Sequence, residues 1–203
     1  MNPKDILYEA EQFAKKAHHK QKQITGKPYF EHPKKVAILL KNWEQEDGVI
    51  MAGYLHDVVE DCNISLDKIE KLFGKRVTKL VDGMSWIKDK KSGKKDLDAT
   101  YKKFSKISKK EPAILLIKLA DMISNIPNVC EPSHREWIVT KSYPRVMSFY
   151  IPFLEAVGLG KQTKVIVKSY NKYVNTPVKS ILFKYITQKE INKIRARIKI
   201  TKL

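Results

Sequence analysis

The sequence predicts an all-α protein, a helical bundle of roughly eight to ten helices. Three observations carry that expectation. Apolar residues recur at helical spacing, as in Ile6, Leu7, Ala10, Phe13, Ala14 and Ala17 and again in Val36, Ala37, Leu39 and Leu40. Alternating segments bounded by hairpin signals are scarce. Residues that start and stop helices stand where the periodic stretches begin and end: Ser65 before Leu66, Gly74 after Phe73.

The first helix closes at Ala17-His18-His19-Lys20-Gln21. Pro33 suits the first turn of a second helix, Lys34 to Trp43, which puts His32 near its N-cap. Ile50 to Asp61 reads as one apolar helix that carries four ionisable groups. Ser65 caps a helix from Leu66 to Phe73, and Val77, Leu80 and Val81 line the next short one. Lys88, Lys90, Lys91, Lys94 and Lys95 surround Ser92-Gly93 in an exposed loop, read as solvated surface rather than a substrate-gathering patch. Asp96 caps a helix through Leu97, Tyr101, Phe104 and Ile107, and Ala113 to Asp121 is an almost wholly apolar helix ending on a carboxylate. A long helix runs from His134 to Val157, with Pro144 and Pro152 each forcing a kink or restart. Its core residues are read as Trp137, Tyr143, Val146, Phe149, Tyr150 and Phe153. Beyond Gly158-Leu159-Gly160, a stretch with Val165, Ile166, Tyr170 and Tyr173 and a final basic helix, Ile181 to Ile200, flank Thr176-Pro177. Residues 1–160 are expected to form one domain and 161–203 a helical extension packed on it.

Chemistry concentrates in Leu55-His56-Asp57-Val58-Val59-Glu60-Asp61. His56 to Glu60 and Asp57 to Asp61 are both i, i+4 steps, so a continuous helix would place all four side chains on one side. Their neighbours Ile50, Met51, Ala52, Tyr54, Leu55, Val58 and Val59 are apolar, and unpartnered charge there is costly. A divalent metal ion is the simplest partner for a histidine beside carboxylates. A His-Asp dipeptide alone is common, and Glu60-Asp61 could also be a solvated helix end before Cys62-Asn63.

Five blocks occur in order from about residue 5 to about residue 157: His18…Gln21; Gly26-x-Pro28-Tyr29-x-x-His32-Pro33; Leu55-His56-Asp57-x-x-Glu60-Asp61; Phe73-Gly74 with Val81-x-Gly83; and Lys118-Leu119-Ala120-Asp121-x-x-x-Asn125. This set resembles the hydrolase domain of RelA/SpoT proteins, part of the HD metal-phosphohydrolase superfamily, and in length the stand-alone small alarmone hydrolases. The resemblance implies one Mn²⁺ held by His32, His56, Asp57 and Asp121. Mixed imidazole and carboxylate ligands without thiolate suit such a cation. It also implies that Glu60 and Asp61 orient or deprotonate the nucleophilic water. Lys22, Gln23, Thr25 and Asn125 are expected to bind the nucleotide. Gln23 stands where the family usually has a cation, and Met122 and Ser124 replace a family Arg and His, which leaves the choice between guanine and adenine open.

The formal net charge is +18, yet only five of 40 basic residues are Arg (Arg76, Arg135, Arg145, Arg195, Arg197). A Lys excess with no helix-turn-helix, zinc-finger or RNA-binding signature reads as compositional, so no nucleic-acid partner is expected. Cys62 and Cys130 lack metal spacing and suit free thiols. Without a signal-peptide core or membrane-length apolar run, the expected setting is cytoplasmic, with no membrane partner. The oligomeric state is left open.

Three functions fit these residues. One is Mn²⁺-dependent removal of the 3′-pyrophosphate from guanosine tetra- and pentaphosphate, giving GDP or GTP. A second is the same chemistry on another nucleotide, such as an adenosine alarmone or the phosphate of NADPH. A third is a metal- or nucleic-acid-binding module without turnover. Glu60 and Asp61 argue against the third, because binding alone needs no water-activating pair.

Overall fold

The computed structural model describes residues 3–198 and is all-α, with nine helical stretches of eight residues or more among the described residues. Among the described residues, only two isolated bridges, Lys22 with Pro28 and Lys88 with Lys95, pair extended backbone. In order come α1 (Pro3–Ala17), α2 (Glu31–Asn42), α3 (Asp47–Leu55), α4 (Val58–Asp61), α5 (Leu66–Met84), α6 (Leu97–Lys110), α7 (Ile114–Ser124) and α8 (Ile126–Val129). A continuous helical stretch follows, made of α9 (Arg135–Trp137), α10 (Tyr143–Arg145) and α11 (Ile151–Ala156), and then α12 (Gly160–Asn171) and α13 (Gln188–Arg195).

The centre is α2, α3 and α7. Val49 to Leu55 of α3 are apolar apart from the half-buried Tyr54, and a helix apolar on every side belongs inside; α3 packs against α1, α2, α5 and α7. Gly53 lets it approach α2: a Cβ there would stand 2.6 Å from Leu40 Cδ1 and 3.3 Å from the Ala37 Cα. Gly74, at φ 83° and ψ 166°, breaks α5 into the two pieces expected, and Ser65 caps the first by accepting from the Lys68 amide at 3.2 Å. Asp96 caps α6 through the Ala99 amide at 3.0 Å.

Neither proline restarts the long helix. Ile138–Ser142 and Val146–Tyr150 are π turns, placed just before Pro144 and Pro152. A proline ring clashes with the carbonyl four residues back, and widening the turn relieves the clash without ending the helix. Tyr143, Val146, Phe149, Tyr150 and Phe153 are buried as expected, with Tyr101 stacked on Phe149 at 4.2 Å. Trp137 is not core: it is 40% exposed and stacks on His134.

The final helix is shorter than expected. It begins at Gln188 under a capping box, in which Thr187 accepts from the Glu190 amide and Glu190 accepts from the Thr187 amide. Residues 181–187 instead hold a 3₁₀ turn, Leu182–Lys184, and Tyr185, which packs edge-on against Tyr101 and Phe149. The expected end at Ile200 lies outside the described residues. This C-terminal part joins the rest through Lys109 Nζ to Glu190 Oε1 (2.7 Å), Arg197 to the Lys109 and Lys110 carbonyls (2.8 Å each), and Ser142 Oγ to Tyr170 Oη (2.7 Å).

Candidate metal centre and active site

The four expected ligands converge. His32 comes from the first turn of α2, His56 and Asp57 from the break between α3 and α4, and Asp121 from α7. His32 Nε2 lies 3.2 Å from His56 Nε2, 3.4 Å from Asp57 Oδ2 and 3.4 Å from Asp121 Oδ1. His56 Nε2 lies 3.1 Å from Asp57 Oδ2 and 3.9 Å from Asp121 Oδ1. Ligand atoms bound ~2.1 Å from one ion and at right angles to each other stand ~3 Å apart, so these separations fit a single coordination sphere.

The continuous helix through His56–Asp61 does not form. The helical bonding stops at Leu55, and Asp57 sits at φ −103°, ψ −9° before the single turn α4. On an ideal helix His56 and Asp57 would diverge by ~100°. The break turns both toward His32, which periodicity alone could not show.

The outer bonds fix which nitrogen faces the cluster. His56 Nδ1 donates to the Gly53 carbonyl at 2.8 Å. Ser124 Oγ donates to the His32 carbonyl at 3.3 Å and therefore accepts from His32 Nδ1 at 3.0 Å. When neutral, each ring presents its Nε2 lone pair to the cluster, an arrangement that fits a shared cation. Tyr29 Oη donates to Asp57 Oδ2 at 2.8 Å, and Lys118 Nζ and Asn125 Nδ2 donate to the two oxygens of Asp121 at 2.8 and 2.7 Å.

The negative charge of the cluster favours a positive charge at this point, whether a proton or a cation. Burial opposes charge on His32, but its hydrogen bonds to Asp121 and Asp57, with their charge, raise its pKa to about 9. Burial likewise opposes ionisation of Asp121, and Lys118 and the two histidines overcome it and hold the carboxyl below the usual range. Burial, followed by the charge of Asp57, pushes Asp61 upward.

A cavity of about 550 Å³ opens over this cluster. Glu60 and Asp61 both line it. Glu60 stands outside the ligand set: Oε1 takes Lys95 Nζ at 2.5 Å and Oε2 the Trp86 amide at 3.4 Å. The Lys-rich loop is exposed, but Lys95 reaches into the cavity all the same. The Asp61 carbonyl is tied to Gln21 Nε2 at 2.7 Å, and Gln21 Oε1 to His18 Nδ1 at 2.6 Å, which explains the His18…Gln21 block.

Of the expected nucleotide contacts, Lys22, Gln23 and Asn125 line the cavity; Thr25 is exposed and does not. Gln23 and Asn125 are joined through Asn128, whose Nδ2 donates to Gln23 Oε1 and Asn125 Oδ1 at 3.3 Å each. Tyr29, Lys118, Ser124 and Asn128 are supporting residues that sequence reasoning missed. Tyr29, Lys118 and Asn128 left a local signal, their i, i+3 spacing from His32, Asp121 and Asn125; Ser124, which meets His32 from 92 residues away, left none.

Comparison with known proteins agrees with this geometry. The HD domain family profile matches residues 10–153. A guanosine-3′,5′-bis(diphosphate) 3′-pyrophosphohydrolase of Aquifex aeolicus is 30% identical over 193 residues, which is 95% of this chain and 26% of that protein. Another of that name, from Borreliella burgdorferi, is 27% identical over 201 residues, 97% of this chain and 28% of that protein. The chain thus spans about a quarter of the length of these relatives. A solved structure reported as a metazoan ortholog of SpoT that hydrolyzes ppGpp aligns with a TM-score of 0.53 at 21% identity, covering 95% of this chain and 94% of that one; it shares the fold. With the adjacent His56 and Asp57 turned onto one point by the break after α3, and the profile spanning all four converging side chains, the chain belongs to the HD domain family.

Proposed function

We propose that the protein removes the 3′-pyrophosphate from guanosine tetra- and pentaphosphate, giving GDP or GTP and pyrophosphate, with one Mn²⁺ as cofactor. The observation that carries this reading is the convergence of His32, His56, Asp57 and Asp121 beside two further carboxylates in one cavity. His32, His56, Asp57 and Asp121 would hold the ion, which supplies Lewis-acid chemistry at a phosphoryl oxygen and acidifies water. The names of the curated relatives support the substrate.

In this reading a water oxygen bonds to the proximal phosphorus, the bond from that phosphorus to the ribose 3′ oxygen breaks, and the 3′ oxygen takes a proton. Asp61 accepts the proton of the attacking water. Its burial beside Asp57 raises its proton affinity, which suits a base working near neutral pH. Glu60 orients the water once Lys95 is drawn toward substrate phosphate. Tyr29 fixes the Asp57 carboxylate, and Lys118 offsets the charge of Asp121.

Base recognition falls to amides. Gln23, Asn125 and Asn128 form a chain at the cavity wall, and Gln23 supplies neither charge nor a stacking cation. The same chemistry on adenosine nucleotides is the second reading, and this amide chain is what favours it. Cys62 and Cys130 are both free, which fits a reducing, cytoplasmic setting. The test is a panel of guanosine and adenosine 3′-pyrophosphates and NADPH assayed with Mn²⁺, with products separated by chromatography. Release of pyrophosphate and GDP is expected; no cleavage of any guanosine 3′-pyrophosphate would overturn the proposal.

A further inference from the structure

Trp86 gathers three cations beside the metal ligands. Lys95 Nζ lies 4.8 Å from its ring centroid, Lys118 Nζ 6.0 Å and Arg145 Cζ 4.4 Å. All four residues line the cavity. Two of the cations are already neutralised, Lys95 by Glu60 and Lys118 by Asp121. Arg145 differs: among the described residues no carboxylate lies within ion-pair distance of it, and none of its side-chain N–H groups donates to a protein acceptor. Its guanidinium is held instead by rings, with the Trp137 centroid also within reach at 5.8 Å.

That arrangement has a chemical consequence. Aromatic faces fix the plane of a guanidinium but use none of its five N–H donors. A planar, charged donor fork facing a cavity matches a phosphate oxygen pair. Its position selects which phosphate. Lys118 touches Asp121 and shares the Trp86 ring with Arg145, so Arg145 stands one side chain beyond the metal ligands. A phosphate held at the ligand cluster has Lys118 beside it, which leaves the fork of Arg145 to a group attached to that phosphate.

We propose that Arg145, in cation–π contact with Trp86 and Trp137, binds the distal phosphate of the pyrophosphate group and so sets the site to pyrophosphate esters over phosphate monoesters. The inference rests on the phosphohydrolase reading for its substrate, but not for its binding chemistry.

The test uses the full chain with Mn²⁺ in excess. Inorganic pyrophosphate and orthophosphate are titrated separately, followed by calorimetry and by tryptophan fluorescence, since Trp86 and Trp137 flank the site. The wild type should prefer pyrophosphate. Arg145→Met should weaken pyrophosphate by about ten- to a hundredfold, as loss of a charge-assisted bond does, and leave orthophosphate and Mn²⁺ stoichiometry unchanged. In kinetics, the kcat/KM ratio of a nucleoside 3′-pyrophosphate to its 3′-monophosphate, with the same 5′ end, should fall by a similar factor. Equal losses for both anions, or for both substrates, would place Arg145 on another phosphate and overturn the proposal; so would an unchanged preference. If Arg145→Met does not fold, Arg145→Lys decides, because lysine keeps the charge but not the fork: a preference equal to wild type refutes the assignment. Should the wild type cleave no nucleotide while its pyrophosphate preference still depends on Arg145, the reaction reading fails and the anion site stands.

Discussion

The metal centre should reveal itself through a proton when the ion is removed. In the metal-free protein Asp57 and Asp121 stand within 3.4 Å of His32 Nε2 and raise its pKa to about 9 from an ordinary 6.5. The folded state therefore favours protonated His32, and the sign follows. The resulting stability is full below pH 6.5 and is lost as pH rises through about 9. A shift from 6.5 to about 9 at a residue 3% exposed corresponds to about 3 kcal/mol at ~1.4 kcal/mol per unit. Mn²⁺ needs the neutral imidazole, so it must displace this proton, and its affinity should climb across the same window. Urea denaturation of chelator-treated protein between pH 6 and 9.5 would measure the decline, with Mn²⁺-saturated protein and His32→Asn as references. Burial first, and then the nearby carboxylates, also act on His56, which is raised and contributes with the same sign, so the difference between wild type and His32→Asn is the quantity to read. A wild-type decline no larger than that of His32→Asn would refute the argument that the carboxylates charge this ring.

Three other outcomes are expected. Glu60→Gln and Asp61→Asn should slow hydrolysis by about 10²–10⁴-fold while metal content stays near wild type, as water-activating roles require; loss of metal with an unchanged rate per bound ion would show that they are ligands. Gln23→Arg should lower KM for guanosine substrates by about 1 kcal/mol through stacking on the base, measured by competition between guanosine and adenosine 3′-pyrophosphates; no change would place base recognition elsewhere. Gly83→Ala should destabilise the fold by about 1–3 kcal/mol in denaturant melts, since its Cβ would stand 2.3 Å from Ile114 Cδ1 and 3.0 Å from Ile107 Cδ1.

The amino-acid order alone determined the helical class, the caps at Ser65 and Asp96 and the break at Gly74, while the set His32, His56, Asp57 and Asp121 came from the family resemblance of its motifs. The first three depend on local chemistry: spacing of apolar residues, short polar side chains that take an amide hydrogen, and a glycine at positive φ. A local signal also went unread, the Thr187-x-x-Glu190 capping box that starts α13 at Gln188 rather than Ile181. Other features had no local signal. His56 and Asp57 face one point because the helix stops at Leu55, where residues 54–59 offer no glycine or proline to announce a break. Trp137 leaves the core because wide turns before the prolines rotate the helix, a change that a fixed 3.6-residue period misses. Thr25 lies outside the cavity although Gln23 and Ile24 line it, for a loop's path is set by what it spans. Ser124 against His32 and Arg145 against Trp86 join residues 92 and 59 positions apart, and only tertiary packing brings such distant side chains within bonding range.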